Sequence, residues 1–202
     1  MKEILIGTHN CHKAKEIADL LAGLPLQIRT LNDFPNIPPA IEDGKTLEEN
    51  ALKKALGYAT KSGLFTIADD TGLEVKALHG APGVYSARFA GEACSYKDNN
   101  KKLIQLLAQE SDRSATFRCV IACIDLQKKF EKMVEGRIEG VILKELKGTQ
   151  GFGYDSVFYV PKCKKTFAEM SLEEKNRVSH RALAVQKLKE LLLKQMELCR
   201  VS

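Results

Sequence analysis

The pattern of apolar and polar residues predicts an α/β protein, one domain built on a mixed sheet. Three observations carry that prediction. Short apolar runs of strand length alternate with amphipathic stretches of helical period. Two Ser/Thr-x-x-Glu strings, "TLEE" and "SLEE", have the form that opens helices. Two long runs rich in β-formers, 115–125 and 130–142, are separated only by "LQKK", which predicts an antiparallel pair. At 202 residues the chain is long enough for one substantial core, or for two lobes of one domain.

The elements follow in order. A first strand over residues 3–8 leads into a helix from Cys11 to Leu24, with Asn10 as N-cap and Ile17, Leu20, Leu21 and Leu24 on one face. A short strand over 26–30 precedes the Pro-rich loop "NDFPNIPPAIEDG". "TLEE" (46–49) opens a helix to Lys61, and strands are expected at 64–68 and 73–77 with a Thr71-Gly72 turn between them. "HGAPGVYS" (79–86) reads as a loop and "SYKD" (95–98) as a helix start. After the long pair come a glycine-rich loop, "KGTQGFGYD" (147–155), and a short strand, 156–160. "SLEE" (171–174) is a second capping box, and an amphipathic helix occupies 179–198.

Hydrophobic content of 44% and charged content of 28% are those of a soluble globular protein, and no apolar stretch approaches a membrane span. The N-terminus reads as a strand rather than a signal peptide. Six cysteines without a CxxC pair suggest free thiols in a reducing cytoplasm, with Cys119 and Cys123 on one side of a sheet. The net charge of +5 is localised: residues 1–160 carry 21 basic and 21 acidic side chains, and residues 161–202 carry 10 and 5. Such a basic end suits a nucleotide, nucleic acid or simply solvent. Against a nucleic-acid-binding module stand 6% aromatics, no Trp and no RNA-binding signature.

Five stretches carry chemistry. Asp69 and Asp70 are adjacent carboxylates at the expected end of a buried strand. Successive strand side chains face opposite ways, so one can serve the turn while the other binds a divalent metal or takes a proton from water. Thr8-His9-Asn10-Cys11-His12-Lys13 lies where a strand meets a helix N-terminus, which suits phosphate oxygens, although the P-loop string is absent. An ordinary capped helix fits that stretch equally well. His9 and His12 lack a third ligand nearby for a metal. Glu42 sits before a capped helix, where an acid can be a second oxygen ligand for Mg²⁺, and Asn50 and Lys54 share one face of that helix. In the glycine-rich loop, Phe152 offers a flat apolar surface to a base. Lys175, His180 and Arg181 fall within a donor-rich stretch that matches a 6-keto purine better than adenine.

These stretches, in this order, resemble the inosine triphosphate pyrophosphatase family, from "LIGTHNCHKAKEI" through "IEDGKTLEENALKKA", "IADDTGLEV", "LHGAPGVYSARFAG" and "GTQGFGYDSVFYVP" to "TFAEMSLEEKNRVSHRALA". The resemblance implies hydrolysis of ITP, dITP and XTP to monophosphate and pyrophosphate, with Mg²⁺ as cofactor. A pyrophosphatase for modified pyrimidine nucleotides is the related alternative. It also implies a long twisted sheet, two lobes with the cleft between them, and a cytoplasmic homodimer that needs neither membrane nor nucleic acid. Carried over by match, Thr8, His9, Asn10, Cys11, His12 and Lys13 form the phosphate loop, with His9 standing where the family has Gly. Glu42 and Asp70 are the metal-binding acids, and Asp70 is also the proton acceptor. Thr71 is a substrate contact by the same match. Beside the match, Lys54 is expected to stabilise charge on the phosphates and Asp69 to be structural or to tune Asp70. Phe152, Gly153, Tyr154, Asp155, Lys175, His180 and Arg181 hold the base and nucleotide.

Overall fold

The structure, a computed structural model, describes residues 2–201. Its eight strands are β1 (Lys2–Ile6), β2 (Leu26–Thr30), β3 (Phe65–Val75), β4 (Pro82–Gly83), β5 (Ser114–Asp125), β6 (Phe130–Ile142), β7 (Phe158–Val160) and β8 (Lys165–Thr166). They form one mixed sheet in the order β2-β1-β3-β5-β6-β7-β8, with β4 on β3. Among the described residues five α-helices accompany it: α1 (Cys11–Leu21), α2 (Leu47–Ser62), α3 (Tyr96–Leu106), α4 (Leu172–Val178) and α5 (His180–Val201). Among the described residues no helix is long and apolar enough to cross a membrane.

The chain divides into two compact units, one of Met1–Asp70, Cys119–Gly136 and Arg181–Ser202, the other of Thr71–Arg118 and Arg137–His180. In the first, β1 runs parallel to β2 and β3, with Ile4 opposite Phe65 and Ile6 opposite Ile67. Strand alternation then sorts the side chains. Ile4, Ile6, Phe65 and Ile67 join Cys119, Ile121 and Cys123 of β5 in a core closed by Ile17 and Leu21 of α1 and Ala184, Val185 and Leu188 of α5. Leu5 packs in a separate cluster with Tyr58 of α2, Leu31 and Ile37. The buried stripe of α2 is Leu47, Asn50, Ala51, Lys54, Ala55, Tyr58 and Ala59, so Asn50 and Lys54 lie on its inward face.

The second unit has its own core, in which Leu73, Val75, Ala115, Phe117 and Ile142 meet Leu103 and Leu107, together with Phe158, Phe167 and Met170. Its α3 is capped by Ser95, which trades hydrogen bonds with Asp98. The guanidinium of Arg113 donates to the carbonyls of Leu107, Ile142 and Leu143, which ties the end of α3 to the end of β6.

The expected strands at 64–68 and 73–77 are one strand. No turn forms at Thr71-Gly72, because the ladder continues through them: Leu73 and Glu74 pair with Gly83 and Pro82 of β4. Asp69 and Asp70 therefore lie inside β3 and not at its end. Strand β4 lies inside the stretch 79–86 expected as a loop, β8 has no expected counterpart, and elsewhere the differences are at boundaries. Helix α1 stops at Leu21 rather than Leu24, because Gly23 turns with φ +88. Leu20 and Leu24 still pack against the core. Strand β7 begins at Phe158 rather than 156, since residues 154–157 form a turn in which Val157 N–H donates to the Tyr154 carbonyl, 3.1 Å.

Candidate active site

In the first unit, parity along β3 splits the two acids. Asp69 has the parity of Phe65 and Ile67 and faces α1; Asp70 has the parity of Thr66 and Ala68 and faces α2. Lys13 Nζ lies 2.9 Å from Asp69 Oδ2. Lys54 Nζ lies 2.7 Å from Asp70 Oδ1 and 3.2 Å from Glu42 Oε2. Asn50 Nδ2 donates to the other Asp70 oxygen at 3.3 Å, while Asn50 Oδ1 accepts from Gly44 N–H at 2.8 Å. That second bond anchors the loop carrying Glu42 to the helix carrying Lys54.

The electrostatics follow from burial and neighbours. Burial works against ionised Asp69, but Lys13, Arg181 and Lys54 outweigh it and hold its carboxyl far below the usual carboxylate range. Asp70 goes the other way: burial, helped by the charge on Glu42, pushes its carboxyl up against the pull of Lys54 and Lys13. Burial also works against the Lys54 ammonium, yet Asp70, Asp69 and Glu42 overcome it and keep the group charged. One of the adjacent acids is thus a fixed anion and the other a carboxyl with a strengthened hold on protons.

The start of α1 is a helix N-terminus capped by Asn10. Asn10 Oδ1 accepts from the backbone N–H groups of His12 (3.0 Å) and Lys13 (3.2 Å), and Thr8 Oγ1 accepts from Asn10 N–H at 3.2 Å. Cys11 is exposed at the first helical position. His9 stands edge-on to Tyr58, ring centroids 6.0 Å apart. Gly7 precedes this turn because a Cβ there would lie 2.7 Å from Tyr58 Cδ2.

In the second unit the glycine-rich loop is folded around Asp155. Its Oδ2 accepts from Phe152 N–H at 2.9 Å and from Lys175 Nζ at 2.6 Å, with both charged groups buried. Gly151 permits this with φ +76, where a Cβ would meet the same oxygen at 2.0 Å. The Lys175 ammonium also lies 5.0 Å from the Phe152 ring centroid. Tyr154 is buried and donates its hydroxyl to the Ser86 carbonyl, 2.9 Å. Gly153 O accepts from Asn100 Nδ2 at 2.9 Å. His180 stacks on Phe117 with centroids 4.5 Å apart and planes at 9°.

A family model described as the Ham1 family matches residues 4–191. The chain belongs to the Ham1 family. A dITP/XTP pyrophosphatase of Thermoanaerobacter pseudethanolicus is 49% identical to it over 197 residues, covering 96% of this chain and 98% of that protein. Another, from Desulforamulus reducens, is 49% identical over 192 residues and covers 94% and 95%. Among solved structures, a HAM1 protein from Coxiella burnetii superposes with a TM-score of 0.89 at 38% identity, covering 96% of this chain and 100% of that one.

Within this Ham1-family chain the structure brings Glu42, Lys54 and Asp70 together, and separately Lys13 with Asp69. Lys175 meets Asp155 and Phe152. Arg181 belongs to the first unit, where it is fully buried, with its guanidinium on Glu16 and 3.9 Å from Asp69. Thr71 is the residue after Asp70 on the same strand. Among the described residues no three His, Cys, Asp or Glu side chains are placed to hold a metal among themselves. Sequence reasoning missed Glu16 and Asn100. Both were signalled by polar residues on otherwise buried helix stripes, Glu16 beside Ile17 on α1 and Asn99-Asn100 one turn before Leu103 on α3.

Proposed function

We propose that this protein hydrolyses the triphosphates of deaminated purines (ITP, dITP and XTP) to the monophosphate and pyrophosphate. The observation that carries the reading is the convergence of Glu42 and Asp70 on the single ammonium of Lys54, two hard carboxylates aimed at one cationic point. The substrate class follows from relatives named dITP/XTP pyrophosphatases that match nearly the full chain.

The donor set fits a magnesium ion, which favours one or two carboxylates plus substrate phosphates over a closed protein cage. Glu42 and Asp70 would hold it, and when bound it would supply positive charge to the phosphate oxygens. The rest belongs to the chain's own side chains. Asp70 orients the attacking water and accepts its proton as the oxygen approaches the α-phosphorus; its raised affinity for protons suits that task. Lys13, Lys54 and the capped N-terminus of α1, with Thr8 and Asn10, stabilise charge on the phosphates. Phe152 takes the base on its face, and Lys175 and His180 present donors to the 6-keto oxygen, which adenine lacks. The enzyme works as a homodimer in the cytoplasm, a state that sedimentation would report directly.

The deciding experiment is a panel of nucleoside triphosphates with Mg²⁺, in which pyrophosphate and orthophosphate are measured separately. Pyrophosphate from ITP, dITP and XTP, with little from ATP or GTP, is expected. Stepwise orthophosphate release, or equal turnover of ATP, would overturn the assignment.

A further inference from the structure

In the second unit, Phe152 is held by its backbone on both sides. Before it, Gly151 turns at φ +76, and the Phe152 N–H donates to Asp155 Oδ2 at 2.9 Å. After it, Gly153 turns at φ +64, and the Gly153 carbonyl accepts from Asn100 Nδ2 at 2.9 Å. Two left-handed glycines leave the peptide units around Phe152 free to rotate unless something fixes them. Asp155 fixes one. Asn100, 53 positions away on α3, fixes the other. Tyr96, one turn earlier on the same helix, sets its ring 6.0 Å from that of Phe152, with the planes at 43°. One face of α3 thus meets the Phe152 ring and the backbone beside it. Asn100 is 5% exposed, and its Oδ1 has no hydrogen-bond partner among the described residues. A buried acceptor left unmade costs stability, which a leucine of similar shape would avoid. What only the amide supplies is the donor to Gly153.

We propose that Asn100 is a positioning residue for the nucleobase: by holding the Gly153 carbonyl it fixes the plane that the Phe152 ring presents. The inference rests on the reading of Phe152 as the surface on which the base stacks. Asn100 is buried and acts through the glycine-rich loop, so its influence falls on ligands that carry a base and not on phosphates alone.

Calorimetric titration with IMP, which carries the base, and with inorganic tripolyphosphate, which carries none, separates the two kinds of contact. Asn100→Leu keeps the bulk and removes the donor. It is expected to raise the Kd for IMP and the KM for ITP by about fivefold, the value of one ordinary hydrogen bond, and to leave the Kd for tripolyphosphate unaltered. In a Phe152→Ala background the same change should add no further loss of IMP affinity. Unaltered IMP affinity, with or without a lower Tm, would overturn the proposal. Equal weakening of both ligands would do so too, as would an undiminished effect in Phe152→Ala. Should Asn100→Leu not fold, Asn100→Ser, too short to reach the carbonyl, is expected to weaken IMP to the same extent; an unchanged value overturns it. Phe152→Ala alone tests the reading beneath: if it leaves IMP affinity as it was, the stacking surface falls and the role of Asn100 with it. Absence of ITP hydrolysis by the unaltered enzyme would count against the function instead, and the IMP titrations would still decide the role of Asn100.

Discussion

Two carboxylates can be neighbours in a buried strand because the strand itself separates them. Asp69 spends its charge on Lys13, and Asp70 spends its charge on Lys54 and Asn50, on the opposite face. Their environments drive their proton affinities apart, which makes one a fixed anion and gives the other a stronger hold on its proton. Asp70→Asn should therefore lower kcat for ITP by about 10²–10⁴-fold, the usual contribution of a general base. Its far-UV circular dichroism should match the unaltered protein, because Glu42 still faces Lys54 at 3.2 Å. Near-normal turnover in that variant would remove Asp70 from the proton step. A second residue-scale test concerns the glycine-rich loop. Lys175→Met leaves the Asp155 carboxylate buried without its ammonium, and breaking such a pair costs about 3–5 kcal/mol. Urea unfolding should show that loss, and Lys175→Met with Asp155→Asn should recover part of it.

Helix α1 shows how an element makes a site. The Asn10 side chain occupies two N–H groups of the first turn and sets the direction of the rest. Asn10→Ala should cost about 1 kcal/mol in urea unfolding and raise KM for ITP, while Asn10→Gly should cost a few tenths. No loss for Asn10→Ala would mean that the cap contributes nothing. Elements of this kind were legible in the sequence because their signals are local. The Ser95–Asp98 and Ser171–Glu174 boxes close within four residues, and the hairpin of β5 and β6 needs only the short turn 126–129. The single strand β3 was not legible. Thr71-Gly72 has turn chemistry, and β3 runs on through it to pair Leu73 and Glu74 with β4, ten residues downstream. Arg181 shows the same limit at longer range: its carboxylate partner lies 165 positions away, and nothing near Arg181 in the chain announces it.

On the scale of the molecule, each compact unit keeps an ionisable side chain in its core with no compensating charge. Burial pushes the Cys123 thiol of the first unit up to about 12, and it pushes the Tyr154 phenol of the second well above its ordinary value. Unfolding restores both to water, where a thiol ionises near pH 8.5 and a phenol near 10. Between about pH 9 and 12 the folded protein therefore keeps the Cys123 proton that the unfolded chain has lost, so stability falls as pH rises, by about 1.4 kcal/mol per pH unit for that one group. Cys123→Ala should start less stable, because it empties volume in the core, yet decline with a slope shallower by that amount. Tyr154→Phe should flatten the curve in the same way from a higher pH. Strands β3, β5 and β6 each supply residues to both units. A strand cannot be half melted at little cost, so both substitutions should alter one common urea transition. Two separated transitions, each sensitive to one substitution, would show instead that the units unfold independently.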